Sequence, residues 1–382
     1  MMRYRTLKIL AAATLVALVA VGCGDSADGD SNDTESVDRY QILDWNPDDQ
    51  RYETMESTIE TISDRPAVSG DIAELRGGGQ IRAATSEPQT REEFENAIRI
   101  DGDKTPRARY EIVDGVVKGW DFQSFLMFTL YHHLERSMLY FESIGVDREV
   151  VGRLPVYYSP ELRLGFIPFN LLTDNAAYAF TLDAFLIPPQ FLLEDLPLSA
   201  NRGVIVHEYS HAVFNRLVHG DQRVPDYLYE PWDDEYANRI SSLDEGIADI
   251  FGALAVEDPN FISASISEEL FDVDRNLDVD REYTASLQQA LDQPANAYNP
   301  YELGSVIAST VWAIRPIVDD DEQLGRALVS ALEDFADVEP SFTLADFFNR
   351  LHAQLPQQAT DDACDVFVDR LTAISGELTC AQ

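Results

Sequence analysis

The chain has 382 residues, of which 28 are Lys or Arg and 68 are Asp or Glu, and its formal net charge is −40. Hydrophobic residues make up 45% of it, which is typical of a globular protein and too many for a disordered acidic tail. The negative charge argues against nucleic-acid binding, because neutralising phosphates requires clustered Lys and Arg side chains. The length is sufficient for one large domain or two smaller ones with a buried core.

The first 22 residues have the composition of an export signal. Basic residues near the start precede an uncharged run over residues 9–22, which is too short to span a membrane, since a spanning helix needs about 20 apolar residues. Ala20-Val21-Gly22-Cys23 resembles the lipobox of bacterial lipoproteins, in which the chain is cut before a cysteine that then carries the lipid. The alternative is an ordinary cleaved signal that contains a cysteine. We predict that residues 1–22 are a signal peptide and that Cys23 is lipidated.

The stretch after Cys23 supports this anchor. Residues 24–38 consist mostly of Ser, Asp, Gly and Asn, and a segment with almost no apolar side chains cannot pack into a core. We predict a flexible tether over residues 23–40 and a protein exported to the cell envelope and held there by its lipid alone. In such a compartment Cys364 and Cys380 are expected to form a disulfide, two free thiols being the alternative.

Residues 41–109 form an N-terminal region of unknown role. They are polar and weakly patterned, and the sequence predicts no clear element for them. Residues 110–113 and 116–117 then flank Asp114-Gly115, a dipeptide typical of β-hairpin turns. We therefore predict a hairpin here.

The rest of the chain separates into strands and helices. Residues 121–144 have the apolar period of a long helix, which Gly145 terminates. A strand-rich stretch follows over residues 154–187, and helical patterns dominate from residue 198 onwards. Strands first and helices later predict an α+β fold, arranged in two lobes with a cleft between them.

A short motif on the first of these later helices points to a metal. His207-Glu208-x-x-His211 lies within an apolar helical pattern. Because four residues advance a helix by one turn and about 40°, His207 and His211 share one face and can bind one ion. Glu208 lies beside the first histidine, where a carboxylate can reach a metal-bound water without being a ligand itself. So short a pattern also arises by chance, and by itself it is only suggestive.

A second helical segment, residues 242–252, supplies two carboxylates on one face, Glu245 and Asp249. A catalytic zinc ion uses three protein ligands and a water, and two His with one Glu are a recurrent set. Asp249 suits another role, which is to fix the tautomer of a ligand imidazole. Considered alone, the segment is better explained as a solvated face of an acidic chain, but beside the His-Glu-x-x-His helix a metal site is the better interpretation.

These two segments together resemble a known family. His207-Glu208-x-x-His211 followed by Glu245-Gly-x-Ala-Asp249 is similar to the zinc metallopeptidases of the thermolysin and fungalysin kind, the gluzincins. The resemblance implies that His207, His211 and Glu245 bind zinc, that Glu208 is the general base, and that Asp249 supports His207. It also implies a two-lobed metallopeptidase domain over residues 110–382, with a strand-rich N-terminal lobe, a mostly helical C-terminal lobe and zinc in the cleft. The 33 residues between His211 and Glu245 imply an insertion around residues 220–234.

Other segments match the family in the same order. Asn175-Ala176-Ala177-Tyr178 resembles the edge strand that pairs with the substrate backbone, which implies that Asn175 and Ala176 bind the peptide. Arg275 stands where the family has an Arg that binds a substrate carbonyl. The alternative for Arg275 is a surface residue paired with a nearby acid.

The sequence departs from the family at the oxyanion site. Residues 299–315 resemble the region that contains the oxyanion-stabilising His, and Tyr301 stands at the position of that His. A tyrosine hydroxyl can donate to an oxyanion, and gluzincins of the aminopeptidase type use one. The alternative is that Tyr301 only packs the start of a helix.

Two further groups carry weaker signals. His132 and His133 are adjacent on the helix over residues 121–144, so they face different ways and are typical of surface or packing residues. The second group alternates as the ligands of a calcium loop do but lacks the Gly of an EF-hand turn, so that solvated acids are the simpler interpretation. Its members are Asp272, Asp274, Asn276, Asp278 and Asp280.

The sequence therefore predicts an exported, lipid-anchored zinc endopeptidase that cuts peptide or protein substrates by a zinc-activated water. Glu208 and Tyr301 are its predicted catalytic residues, zinc is its cofactor, and calcium is a further candidate. We expect a monomer with no nucleic-acid partner. The alternative is a surface lipoprotein whose peptidase site has decayed into a zinc-binding or assembly module.

Overall fold

The structure is a computed structural model that describes residues 39–83, 92–93, 98–163, 174–190, 196–220, 234–266, 274–294, 297–333, 335 and 342–381. The chain divides into two units, Met1–Ser36 and Val37–Gln382, and all described residues belong to the second. The predicted signal peptide, Cys23 and the tether up to residue 38 lie outside the described residues. So do residues 221–233, which make up most of the predicted insertion.

Strands dominate the N-terminal part of the described chain, as the sequence predicts. They form three sheets, with the orders β2-β1-β9-β8, β12-β13-β10-β5-β4-β3 and β11-β6-β7. The strands are β1 (Arg39–Asn46), β2 (Arg51–Thr58), β3 (Ile62–Asp64), β4 (Ser69–Gly70), β5 (Ala73–Gly77), β6 (Gln80–Ala83), β7 (Ile98–Asp101), β8 (Tyr110–Val113), β9 (Val116–Gly119), β10 (Leu154–Tyr158), β11 (Glu161–Arg163), β12 (Ala177–Ala179) and β13 (Ala184–Ile187).

The weakly patterned region before residue 110 contributes to all three sheets. β1 pairs in parallel with β9, and β5 pairs in parallel with β10. β1 begins at Arg39, so residues 39 and 40, which the sequence assigns to the tether, belong to a strand. The buried positions of β1 include Tyr40, Ile42 and Asp44. Because one of these alternating positions is a carboxylate, hydropathy by itself does not show the period of two.

The predicted hairpin and long helix are confirmed. β8 and β9 pair in antiparallel fashion across Asp114 and Gly115, whose φ angles are 54° and 74°. Two consecutive positive φ angles are what the favoured two-residue hairpin turn requires. The helix begins after Asp121, whose Oδ1 accepts the N–H of Ser124 at 2.8 Å. It ends before Gly145, whose φ of 105° a residue with a side chain rarely adopts.

Helices dominate the C-terminal part, again as predicted. Local signals mark their ends, such as Asn201 and Asn299 as N-caps and Pro300 at the first position of its helix. Among the described residues, no helix is both long and apolar enough to cross a membrane. The helices are α1 (Phe122–Ser143), α2 (Arg148–Val151), α3 (Arg202–His219), α4 (Asp234–Val256), α5 (Ala285–Ala290), α6 (Pro300–Val318), α7 (Asp321–Glu333), α8 (Leu344–Gln354) and α9 (Thr360–Arg370).

One continuous hydrophobic core joins the strands to the helices. It includes Phe185 of β13, Phe141 of α1, Tyr209 of α3 and Phe251 of α4. The ring of Phe141 contacts those of both Tyr209 and Phe251, with centroids 5.5 and 5.1 Å apart. Near the C-terminus, Cys364 and Cys380 form a disulfide with their Cα atoms 5.9 Å apart. α3 and α4 are therefore packed against α1 and the strands, and these are the helices that carry the predicted metal ligands.

Candidate metal centre

The two histidines of the motif lie on one face of α3. The side chain of Asn201 caps this helix by accepting the N–H of Val204 at 3.2 Å. From that start, the i, i+4 spacing brings the Nε2 atoms of His207 and His211 to 3.1 Å from each other. His207 is buried, and the side chain of His211 is 13% exposed. The local geometry that the sequence predicts is confirmed.

Glu245 of α4 completes a triangle of ligand atoms. Its Oε2 lies 3.6 Å from Nε2 of His207 and 3.7 Å from Nε2 of His211. Four tetrahedral ligands at about 2.0–2.2 Å from an ion such as zinc lie about 3.3–3.6 Å from one another, so the triangle, with edges of 3.1, 3.6 and 3.7 Å, is close to the size that such an ion requires. Within the described part of the chain, this buried Oε2 has no hydrogen-bond partner. The three residues thus form a group that can hold a metal ion.

Two carboxylates orient the histidines from behind. Asp249 Oδ1 lies 3.0 Å from Nδ1 of His207, and Asp244 Oδ1 lies 2.8 Å from Nδ1 of His211. Because a carboxylate only accepts, each Nδ1 carries a proton, and in a neutral ring Nε2 is then a lone pair. Two Nε2 lone pairs 3.1 Å apart would repel each other, so either a proton on one ring or a metal cation must lie between them. The donor set therefore fits a divalent metal ion.

Asp244 is a functional residue that the sequence reasoning missed. The prediction placed Asp249 behind His207, where the structure has it, but left His211 without a carboxylate partner. The signal was present in the sequence, because Asp244 directly precedes Glu245. Adjacent helical residues point about 100° apart. One turn of α4 can therefore direct Glu245 towards both histidines and Asp244 towards Nδ1 of His211.

The electrostatics of the site favour a positive charge at its centre. Burial by itself lowers the pKa of His211, but Asp244 and Glu245 raise this pKa to about 10. Burial also lowers the pKa of His207, and the charge of His211 adds to this effect. The two imidazoles are so close that only one of them carries the charge. A divalent cation would replace that proton and satisfy both rings.

Glu208 lies beside the ligand triangle without being part of it. Its Oε1 is 4.0 Å from Nε2 of His207, and its Oε2 accepts the N–H of Tyr178 at 2.7 Å. Burial raises the pKa of Glu208 to about 7, although the charge of His211 and the Tyr178 N–H act in the opposite direction. A carboxyl group with this pKa can take up and release a proton near neutral pH.

A cavity of about 440 Å³ opens onto these groups. It brings together nearly all of the predicted site residues, which come from five separate parts of the chain. Asp249 lies behind His207 and is almost completely buried. The predicted residues that line the cavity are Asn175, Ala176, His207, Glu208, His211, Glu245, Arg275 and Tyr301.

Arg275 lines the cavity but is already held by an acid. Its Nε donates to Oδ2 of Asp249 at 3.1 Å, and its Nη2 donates to Oδ1 of the same carboxylate at 2.5 Å. The guanidinium also lies over the ring of Tyr301, 4.5 Å from the centroid. The charge of Glu245, together with burial, holds the pKa of Tyr301 well above its usual range. The hydroxyl of Tyr301 therefore stays protonated and can donate a hydrogen bond.

The candidate calcium loop is described from Asp274 onwards, and Asp272 lies outside the described residues. Asp274 and Asn276 accept backbone N–H groups within the loop at 2.9 and 3.0 Å. Arg281 donates to the carbonyl oxygens of both residues at 2.6 Å. In its described part, the loop does not bring three acidic side chains together around one point. The cation that these carbonyl oxygens contact is thus the guanidinium group of Arg281.

No protein-family model matches this sequence, and no curated protein matches it. A function for the chain is therefore inferred from the residues of the site and their geometry.

Proposed function

We propose that the protein is a zinc-dependent endopeptidase with a gluzincin-like two-lobed domain. The observation that carries this proposal is the triangle of Nε2, Nε2 and Oε2 atoms with edges of 3.1, 3.6 and 3.7 Å and with Glu208 directly beside it. A zinc ion bound by His207, His211 and Glu245 supplies Lewis acidity to the site. The cavity at this triangle is lined by Ala177 and Tyr178 of β12 and mostly by residues of α3, α4 and α6, which supports a cleft where the strands meet the helices.

Glu208 is proposed as the general base. Its contact with the N–H of Tyr178 fixes the direction of the carboxylate through one oxygen and leaves the other on the side of the histidines. In this position Glu208 accepts a proton from the attacking water and delivers it to the leaving amine. Burial raises the pKa of Glu208, which favours uptake of the proton by this carboxylate.

The strand beside the site supports a peptide as substrate. β12 is the terminal strand of its sheet among the described residues and pairs there with β13 alone. A terminal strand has unpaired N–H and C=O groups that can hold an extended peptide. The hydroxyl of Tyr178 donates to Asp183 at 2.7 Å, and Arg216 of α3 donates to the same carboxylate at 2.6 Å. These contacts hold β12 against α3, the helix that carries His207 and His211. Asn175 and Ala176 directly precede β12.

Tyr301 and Arg275 are proposed to act on the substrate carbonyl. The hydroxyl of Tyr301 is a protonated donor on the cavity wall, which suits it to an oxyanion that develops during the attack. Asp249 holds Arg275 in place, so its guanidinium is oriented before a substrate arrives.

The test is the hydrolysis of an unfolded protein by the purified chain. We expect cleavage by the wild-type protein, loss of cleavage with a zinc chelator, and recovery when zinc is added back. Glu208→Gln is expected to reduce kcat by about 10²-fold or more, since it removes the general base, while the zinc content stays the same. Glu333→Gln makes the same change at an exposed position of α7 and is expected to have no effect.

The alternative of a decayed site gives a different result. A zinc-binding or assembly module would hold one zinc ion at His207, His211 and Glu245 and hydrolyse nothing. Wild type and Glu208→Gln would then be identical on a broad panel of peptides, and the endopeptidase proposal would be wrong.

Export and lipid anchoring at Cys23 are part of the proposal. The disulfide between Cys364 and Cys380 supports them, because disulfides persist in oxidising compartments outside the cytosol. Expression in bacteria with a radiolabelled fatty acid is expected to label the wild-type chain but not Cys23→Ser. Equal labelling of both would contradict the anchor.

A further inference from the structure

We propose that Asp44, His132 and His133 form a second metal site, which binds a structural divalent ion of the zinc class. Each residue offers one ligand atom, and the three atoms lie within 4.8 Å of one another. The two imidazoles are fully buried, and Asp44 is 6% exposed. The residues come from β1 and α1, so none of them belongs to the centre on α3 and α4. The sequence suggested surface or packing roles for the two histidines, and nothing in the proposed peptidase chemistry uses them.

The hydrogen bonds of His133 leave one of its nitrogens as an unpaired acceptor. Its Nε2 lies 3.1 Å from the carbonyl oxygen of Ala200, and because a carbonyl only accepts, this Nε2 carries the proton. In the neutral ring, Nδ1 is then a lone pair. It lies 3.7 Å from Oδ1 of Asp44 and has no hydrogen-bond partner in the described part of the chain.

Oδ1 of Asp44 also accepts the N–H of Trp45 at 2.8 Å, so Nδ1 of His133 is the acceptor that a cation between the two atoms would satisfy. A His nitrogen and a carboxylate oxygen, each about 2.0–2.2 Å from a tetrahedral zinc ion, are about 3.3–3.6 Å apart, which is close to the observed 3.7 Å. The contact between His133 and Ala200 is also the arrangement expected behind a metal-bound imidazole, where the second ring nitrogen donates to a carbonyl or a carboxylate.

His132 is the third proposed ligand. Its Nε2 lies 3.2 Å from Oδ2 of Asp44 and donates a hydrogen bond to it when no ion is bound, so an ion would displace this proton, while its buried Nδ1 has no hydrogen-bond partner among the described residues. The group therefore offers two imidazoles and one carboxylate. Zinc and its transition-metal neighbours bind such a set, whereas calcium and magnesium prefer oxygen ligands throughout.

The position of this site gives the ion a structural role. Ala200, which His133 contacts, directly precedes Asn201, the N-cap of α3. Tyr52 of β2 donates to Asn201 Oδ1 at 2.8 Å and accepts the N–H of Arg202 at 3.0 Å. An ion at Asp44 would thus join β1 and α1 at the start of the helix that carries His207 and His211. His207 follows Asn201 by six residues, which is about 9 Å along a helix, so the two ions would be separate.

Arg202 is the competing explanation for the buried carboxylate. Its positive charge also acts on Asp44, as do the two histidines. If Arg202 neutralises Asp44, the cluster is a hydrogen-bonded network without a metal. The number of ions that the protein holds distinguishes these cases.

Metal content is measured after refolding the purified protein with excess Zn²⁺ and dialysing it against metal-free buffer. We expect two equivalents of zinc per chain for wild type and one for the variant His207→Ala/His211→Ala. Addition of Asp44→Asn to that variant is expected to remove the remaining ion. Addition of His352→Gln is expected to leave it, because the ring of His352 contacts the carbonyl of Thr360 in the C-terminal helices.

Anomalous scattering from crystals of the wild-type protein at the zinc edge tests the site without any variant that must fold. A peak within bonding distance of His133 Nδ1 supports the second metal site. If that peak is present and no peak lies at His211, the second site stands and the proposed peptidase centre is wrong. A single peak at His207, His211 and Glu245, with one equivalent of zinc in wild type and none in the double variant, would overturn the second metal site.

Discussion

Each imidazole of the candidate metal centre uses its two nitrogens differently. Nδ1 donates to a carboxylate and Nε2 faces the shared centre, so Asp244 decides the tautomer of His211 as Asp249 decides that of His207. We predict that Asp244→Ala weakens zinc binding by about 10- to 100-fold, as measured by competition with a chelator. Asp362→Ala removes an exposed carboxylate of α9 and serves as the control. Equal zinc affinity in both variants would contradict this role of Asp244.

The side chains of Tyr301 and Tyr298 have different surroundings. The Tyr301 ring lies beneath Arg275 on the cavity wall, whereas the hydroxyl of Tyr298 hydrogen-bonds to Ser242 at 2.9 Å. Tyr301→Phe keeps the ring and its contact with Arg275 but removes the donor. We predict a decrease in kcat of about 10²-fold, with unchanged zinc content and a nearly unchanged KM. Tyr298→Phe is expected to retain kcat, and equal turnover in the two variants would assign Tyr301 to packing alone.

At the scale of elements, two glycines set the distance between α4 and α6. A Cβ at Gly246 would lie 2.7 Å from the carbonyl oxygen of Gly304, and one at Gly304 would lie 3.2 Å from Cβ of Glu245. This close approach brings Glu245, the candidate metal ligand on α4, next to Tyr301, which lies one turn before Gly304 on α6. The contact at Gly246 cannot relax easily, because the nearest atom is a backbone oxygen.

Gly246→Ala should therefore destabilise the fold and disturb the site together. We predict a decrease of about 1–3 kcal/mol in the free energy of unfolding from overpacking, measured with urea, and a weaker zinc affinity. Gly376→Ala is the matched control, because a Cβ there meets nothing within 4 Å. A Gly246→Ala protein with wild-type stability would show that the helices can separate without cost.

At the scale of the whole molecule, the strands before residue 110 are part of the structure that supports the site. β1 and β5 pair with strands that follow residue 110, and Tyr40 and Leu75 are completely or almost completely buried in the common core. In addition, Glu135 of α1 accepts the N–H groups of Glu60 and Thr61 at 2.9 and 2.8 Å. Loss of these strands would expose apolar side chains and leave a buried carboxylate without its donors.

We predict that a chain beginning at residue 110 does not fold cooperatively. A chain beginning at residue 39 is expected to unfold at the same temperature as one beginning at residue 24. Thermal unfolding followed by circular dichroism, together with size-exclusion chromatography, compares the three. A cooperative transition in the shortest chain would show that residues 110–382 form an autonomous domain.

The sequence by itself determined the features that depend on local geometry. The period of the helix places His207 and His211 on one face, Asp114-Gly115 closes a hairpin, and Gly145 ends α1. These relations hold within a few residues of chain and need no partner. Tertiary structure decided what depends on distant segments, such as the contact of Glu245 with both histidines and the pairing of Asp244 with His211. It also decided that the polar region before residue 110 is strand and that His132 and His133 are buried beside Asp44, because a buried carboxylate has no hydropathic signal and acquires its meaning only from the groups packed around it.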